Sequence, residues 1–223
     1  MKNLSRVFLT AIVCLIVQFC CSQTINWKTL TASQKHIINV NTGLDHAMTY
    51  GAGYGYHFNT KMPLLVNVDY SMAAGSDLFD DIKSRIGAQL NVWHLSNFYA
   101  VIKVNGIVRR FENDLARLVN FGSEMAGTAG YYKSKWFVSG EFGFDKAIIT
   151  HIKHSDIAKR FNPDMQSGWY EDTGGQFFYG IQAGYSFKCS DIYVKGGQSV
   201  SQDFQTKPML PFYLQIGWSV KIN

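Results

Sequence analysis

Residues 50–58 read Tyr-Gly-Ala-Gly-Tyr-Gly-Tyr-His-Phe, a stretch in which glycine alternates with larger, mostly aromatic residues. Side chains of a β-strand point alternately to opposite faces, so this alternation predicts one aromatic face and one nearly bare face. A phosphate-binding loop would instead place its glycines at a strand-to-helix turn, followed by helical spacing. No helical spacing follows. We therefore interpret the stretch as a long, two-faced strand.

The same two-residue period recurs along the chain and predicts about ten strands, with eight or twelve as alternatives. Strands of soluble proteins typically have about 5–6 residues, whereas a tilted membrane-spanning strand needs about 9–11, and most of the predicted strands reach that length. Short and long links alternate between them. The pattern favours an all-β fold: a single closed antiparallel up-and-down transmembrane β-barrel over residues 35–223, with short periplasmic turns and longer outer loops.

The first residues have the order of a secretory signal peptide. Lys2 and Arg6 precede an apolar run from Val7 to Val17, and the small residue Ser22 follows. This order predicts a signal peptide over residues 1–22 that is cleaved on export. The apolar run is too short for a membrane-spanning helix, which needs about 20 apolar residues. Residues 23–34 are then predicted to form an N-terminal periplasmic segment.

Composition excludes several classes of function. Lys and Arg number 21 against 16 Asp and Glu, but the basic residues are scattered. They form no stripe of the kind that nucleic-acid binding needs, so no nucleic-acid partner is predicted. Removal of the signal peptide leaves Cys189 as the only cysteine, which excludes an intramolecular disulfide and a cysteine zinc cluster. We predict no cofactor and no metal.

Ionisable residues occur at the middle of the predicted strands, on the face opposite the apolar one. Three are acidic and three are basic. Inside a narrow barrel such charges must pair, because an unpaired buried charge costs several kcal/mol. A barrel of eight to ten strands also leaves little room for water. We interpret these residues as an ion-paired plug, with an ion path as the alternative. This interior charge cluster comprises Asp69, Arg85, Lys103, Glu124, Glu141 and Lys195.

On this pattern the chain resembles small outer-membrane β-barrel proteins of Gram-negative bacteria, over residues 35–222 and without a diagnostic motif. The serine before Gln23 is similar to that of exported proteins of the Bacteroidota. Many proteobacterial barrels end in an aromatic residue, whereas this chain ends Lys221-Ile222-Asn223. The resemblance implies a location in the bacterial outer membrane. It also implies outer-membrane lipid and the barrel insertion machinery as partners.

The turn His-Leu-Ser-Asn at residues 94–97 resembles the His-x-Ser-Asn motif of outer-membrane lipid A deacylases. Carried over, the resemblance makes His94 a general base, Ser96 a nucleophile and Glu112 an orienting carboxylate. An ordinary hairpin turn is the alternative, because serine and asparagine are common turn formers. The predicted topology places this turn in the periplasm, away from outer-leaflet lipid. We therefore predict no catalytic residue, with His94 and Ser96 as the weak candidates.

The longest predicted loop covers residues 146–174, where the two-residue period breaks and isoleucines recur at helical spacing. His151 and His154 are three apart and would share one face of a helix, close to Asp156. These three residues are candidates for binding a ligand, although solvated loop histidines are the simpler interpretation. Trp169 and Tyr170 are expected to anchor the loop at the membrane interface or to contact a partner.

Three functions remain open. The leading hypothesis is an outer-membrane barrel with a charge-plugged narrow interior, which serves structure, adhesion or ligand binding through its extracellular loops. The second is an outer-membrane hydrolase that acts on lipid or peptide. The third is a soluble exported barrel, lipocalin-like in shape, whose aromatic face points inward and binds an apolar ligand.

Overall fold

The computed structural model describes residues 24–45, 47–75, 80–206, 208 and 210–223. The predicted signal peptide, residues 1–22, lies outside the described residues. A single 3₁₀ turn covers Trp27–Thr29, and one short helix, α1, covers Asp156–Phe161 in the part of the chain that is described. The strands are β1 His36–Leu44, β2 Met48–Phe58, β3 Leu64–Ala73, β4 Asp81–Leu95, β5 Phe98–Glu112, β6 Ala116–Tyr132, β7 Trp136–His154, β8 Gly168–Phe187, β9 Ser190–Ser201 and β10 Phe212–Ile222.

The ten strands form one closed antiparallel barrel. Each strand pairs with its neighbours in chain order, and β1 pairs with β10 from His36↔Ile222 to Leu44↔Leu214. The predicted up-and-down barrel of about ten strands is therefore confirmed. Closure pairs β1 with β10, so the sheet has no open edge over the length that all ten strands share. Among the described residues, no helix is long and apolar enough to span a membrane.

The alternation of side chains places the apolar face on the outside of the barrel. On β2, Tyr54 is exposed while Gly53 and Gly55 are buried. Ile86 and Ile181 are each 63% exposed, whereas Asn67 and Gln89 of the interior are 1% exposed. The lipocalin-like alternative needs the aromatic face to point inward, and these strands point it outward.

Several inward-facing glycines make room for aromatic rings that also point inward. A Cβ atom at Gly184 would overlap the ring of Phe137, and one at Gly217 would overlap the ring of Tyr193. Phe137 and Tyr193 are fully buried in the small apolar core at one end of the barrel. The bare strand faces predicted from the glycine alternation thus allow aromatic rings of the neighbouring strand to lie over them and fill the interior.

Replacing Gly184 with alanine is expected to lower the free energy of unfolding by about 1–3 kcal/mol, because Phe137 must leave its position. Denaturant unfolding of the protein in detergent micelles measures this change. Gly127→Ala is the matched control, since nothing lies within 4 Å of a Cβ atom there. Equal stability of the Gly184→Ala protein and the wild type would contradict the packing described.

The predicted loop over residues 146–174 is mostly strand. β7 continues to His154 and β8 begins at Gly168, so only residues 155–167 connect them, and α1 has six residues. Phe121 pairs with Ile149 and Gly122 with Ala147, which leaves Ile148 as a bulge. A bulge adds one residue to a strand and shifts its two-residue period. The helical spacing of the isoleucines up to Ile152 is thus a strand interrupted by a bulge, and the predicted helix is limited to α1, Asp156–Phe161.

The links between strands differ in length at the two ends of the barrel. The short-turn end has the links at residues 59–63, 96–97, 133–135 and 188–189, and the loop end has the others. The alternation of short and long links predicts a long link after β5, over residues 111–116, but this link covers only residues 113–115. Asn113 explains this, since its side-chain oxygen accepts hydrogen bonds from the N–H groups of Leu115 (3.0 Å) and Ala116 (2.9 Å). Such an Asx turn closes a tight hairpin.

Candidate functional site: a plugged lumen below an open vestibule

The middle of the lumen is filled by buried ion pairs. Lys103 Nζ lies 3.0 Å from Glu141 Oε1, and Arg85 Nε lies 3.2 Å from Glu124 Oε2. Arg85 also reaches Asp45 Oδ2 at 3.3 Å. Strands β4, β5, β6 and β7 supply the two inner pairs because these residues share the inward parity of their strands. The arrangement cross-links the walls of the barrel.

The other two residues of the interior charge cluster lie in the same region. Asp69 accepts a hydrogen bond from Asn67 and is paired in register with Arg85 across β3 and β4. Lys195 lines a cavity of about 40 Å³ together with Glu141. A space of this size holds only a few water molecules. All six predicted residues are therefore brought together in a packed interior.

The interior holds further ion pairs beyond the six predicted residues. Lys83 Nζ lies 2.9 Å from Asp145 Oδ2, and Lys221 Nζ lies 2.8 Å from Asp191 Oδ2. The side chains of Lys221 and Asp191 are fully buried. The strand positions of these four residues could have identified them from the sequence, because they have the same inward parity as the six predicted residues.

The N-terminal segment enters the short-turn end of the barrel and closes it. Asn26 donates its backbone N–H to Asp191 Oδ2 (2.9 Å) and its side-chain N–H groups to Lys133 O (2.7 Å) and Ser186 Oγ (2.8 Å). Ile25 and Trp27 are buried against the inward apolar side chains at this end of the barrel. Residues 24–30 thus form a plug, a role that the sequence analysis did not foresee for the predicted periplasmic segment.

The loop end holds an open vestibule of about 730 Å³. The long strands β5, β6 and β7 form one of its walls, and the β9–β10 link contributes Pro208 and Leu210. Its floor includes Lys83 and Asp145, which pair with each other. The volume lies within the range of about 300–1,000 Å³ that is typical of small-molecule sites.

Among the candidates for deacylase chemistry, His94 and Ser96 lie at the same hairpin, but Glu112 lies far from both. His94 is on β4 and stacks on Tyr99, with ring centroids 5.6 Å apart. Ser96 is in the β4–β5 turn, and its carbonyl accepts a hydrogen bond from Lys28 Nζ (3.4 Å). Glu112 lies at the opposite end of β5, roughly 45 Å along the strand at about 3.3 Å per residue. Glu112 therefore cannot orient His94.

Glu112 instead belongs to an ion-pair group at the loop end. It accepts hydrogen bonds from Arg117 (2.7 and 2.8 Å) and from Arg110. These two guanidinium groups, Arg117 more than Arg110, lower the pKa of Glu112 to about 2. The carboxylate stays ionised at any ordinary pH. Its ion pair with Arg117 therefore links the end of β5 to the start of β6.

The ligand candidates of the predicted loop are distributed over two strands and a helix. His151 and His154 lie on β7, three residues apart, so their side chains point to opposite faces instead of sharing a helix face. Trp169 lies on β8 beside His151, with ring centroids 4.8 Å apart, and Tyr170 follows it. Asp156 begins α1. Within the described ranges no group of three or more His, Cys, Asp or Glu residues could hold a metal ion.

No protein-family model matches this chain, and no curated protein matches its sequence.

Proposed function

We propose that this chain is a transmembrane barrel of the bacterial outer membrane, closed to solutes, which binds small molecules from its loop side. The outward-facing side chains carry this proposal. Between the two ends of the barrel they form a continuous aliphatic belt, in which Val104, Met125 and Ile216 are all exposed. Exposed aliphatic surface of this extent is unfavourable in water and favourable against acyl chains.

Aromatic residues border this belt at both ends. At the short-turn end Tyr131 contacts Phe98 at 5.0 Å and Trp136 at 5.8 Å between ring centroids. At the loop end Phe177 contacts Phe144 at 4.6 Å. Aromatic girdles at both interfaces are typical of membrane barrels, because these rings favour the level of the lipid head groups.

The separation of the two aromatic levels fits a bilayer. On β6 they are marked by Tyr131 and Phe121, which stand about ten residues apart and so roughly 33 Å along the strand. A strand tilt of about 40° reduces this to about 25 Å, the height of the apolar band of outer-membrane barrels. Trp169, 6.2 Å from Phe121 between ring centroids, lies at the outer level and supports the predicted anchoring role.

The closed interior supports a role other than that of a pore. The plug at residues 24–30 fills the short-turn end, and the Lys103–Glu141 and Arg85–Glu124 pairs fill the middle of the lumen. The vestibule, by contrast, is open at the loop end. A ligand can therefore enter from that side, whereas the plug and the ion pairs of the described chain obstruct the passage of a solute through the interior.

Cysteine labelling in cells tests both the membrane and the orientation. A membrane-impermeant maleimide is expected to label Gln166→Cys in intact cells, because this residue is exposed in the β7–β8 link. It should label the native Cys189, in the short β8–β9 turn, only after the outer membrane is permeabilised. Val104→Cys, at the middle of the belt, should resist labelling in both cases because lipid covers it.

The engineered cysteines are introduced in a Cys189→Ser background, so that each protein carries a single target after signal cleavage. Denaturation in detergent provides the control that every cysteine can react. Rapid labelling of folded Val104→Cys would contradict the membrane location. Labelling of Cys189 in intact cells would contradict the orientation alone.

A further inference from the structure

The upper lumen wall departs from the polar interior that a membrane barrel needs. Phe111, Leu118 and Ile152 pair in register across β5, β6 and β7, and all three line the vestibule. They form an apolar row that faces inward, away from any lipid. Interior positions of a membrane barrel are ordinarily polar. We refer to these three residues as the apolar row.

Packing of the barrel does not account for this row. The buried apolar core lies at the short-turn end and includes none of these three residues. Phe111 is 37% exposed, and Leu118 and Ile152 are only partly buried. Apolar side chains that face an open cavity without filling it leave area that a bound apolar group can cover.

A polar row lies directly below the apolar row. Arg109, Asn120 and Thr150 pair in register on the same three strands. Asn120 donates a hydrogen bond to Thr150 Oγ1 at 2.7 Å, and Arg109 gives two of its N–H groups to Asp81, at 3.0 and 2.8 Å. A guanidinium has five N–H donors. The row thus presents hydrogen-bonding groups beneath an apolar surface.

The charged residues that line the vestibule in the described part of the chain are paired with each other. Lys83 pairs with Asp145, Arg109 with Asp81, and Arg85 with Asp45. A charged ligand would lose its hydration without finding an excess of opposite charge, which is unfavourable. An uncharged polar head can instead form hydrogen bonds without disturbing these pairs.

We propose that the vestibule binds an uncharged amphipathic small molecule, with its apolar chain against Phe111, Leu118 and Ile152 and its hydroxyl or amide head at Arg109, Asn120 and Thr150. This inference names a ligand class and a site for the proposed function, on which it rests. The proposed binding surface is the inner wall of β5–β7, whereas the sequence pattern predicted a ligand site on the loop over residues 146–174.

Methyl NMR of isoleucine-labelled protein in lipid nanodiscs tests the site. Three probes with the same alkyl chain are titrated: n-hexanol, hexanoate and n-hexylammonium. Hexanol is expected to produce saturable shifts of the Ile107 and Ile152 methyl signals, since both residues line the vestibule. Ile86 and Ile181, on the outer belt, report partition of the probe into lipid. The two charged probes should bind several-fold more weakly.

Matched substitutions on β6 locate the effect. Leu118→Gln should abolish the saturable shifts, whereas Val119→Gln, the adjacent residue on the outer face, should leave them unchanged. Phe111→Ser, at the rim of the wall, gives a second variant if Leu118→Gln fails to fold. Shifts of Ile107 and Ile152 no larger than those of Ile86 and Ile181 would overturn the site. Equal or tighter binding of either charged probe would overturn the ligand class.

The same spectra separate failure of this inference from failure of the proposed function. Nuclear Overhauser effects from lipid acyl chains to the Ile86 and Ile181 methyl groups report the membrane belt independently of any probe. Their presence without probe binding rejects the vestibule ligand alone. Their absence rejects the transmembrane barrel itself.

Discussion

Replacing Lys103 with methionine is expected to lower the free energy of unfolding by about 3–5 kcal/mol, since it leaves Glu141 charged and buried without its partner. The side chains of Lys103 and Glu141 are only 3% and 5% exposed, so water cannot take over the lost interaction. Denaturant unfolding in detergent micelles, followed by circular dichroism, measures the loss.

The double variant Lys103→Met with Glu141→Leu separates the lost pair from the lost packing. It should recover most of the stability, because replacing a buried ion pair by apolar groups of similar volume is often nearly neutral. Arg117→Met provides a surface control, since its pair with Glu112 is exposed and should contribute little. A double variant as unstable as the single one would contradict a role for the buried charge.

Replacing Trp27 with alanine is expected to cost about 3–5 kcal/mol and to release the plug from the short-turn end. Trp27 is 7% exposed and packs in the apolar core with Ile25, Ile37 and Leu65. Truncation leaves a large void among these side chains. Denaturant unfolding measures the loss of stability, and limited trypsin digestion at Lys28 measures release of the segment.

Trp169→Ala is the control for Trp27→Ala, because Trp169 is 58% exposed at the loop end. It should change stability less and leave Lys28 as resistant to trypsin as in the wild type. Faster cleavage at Lys28 without loss of barrel stability would mean that the plug binds weakly and contributes little. Unchanged cleavage in Trp27→Ala would contradict the role of Trp27 in holding the plug.

The alternation of apolar and polar residues predicted the barrel because each strand shows this alternation in its own sequence. Lys103 and Glu141 could be assigned to the interior from the neighbours on their own strands alone. The same rule applied equally to Lys83 and Asp191, which were passed over because they stand nearer the strand ends. Which cation meets which carboxylate depends on strand register, and no single strand encodes that register.

Two features were beyond the reach of local patterns. The bulge at Ile148 inverts the faces of β7 beyond it, so strand residues there took on the spacing of a helix. The plug depends on contacts between Asn26 and residues more than a hundred positions away. The sequence of β5 does indicate the apolar row. Ile107 and Phe111 are apolar residues on the inward face of this strand, among the polar residues Lys103, Asn105 and Arg109.

The plug links the first part of the chain to the last. Asn26 bonds to Asp191, 165 residues later, and Ser219 on the final strand donates a hydrogen bond to the carbonyl of Thr24, 195 residues earlier. Its binding site is therefore incomplete until β9 and β10 have joined the sheet. The segment that is synthesised first can therefore dock only at the end of assembly, and its docking marks the completion of the barrel.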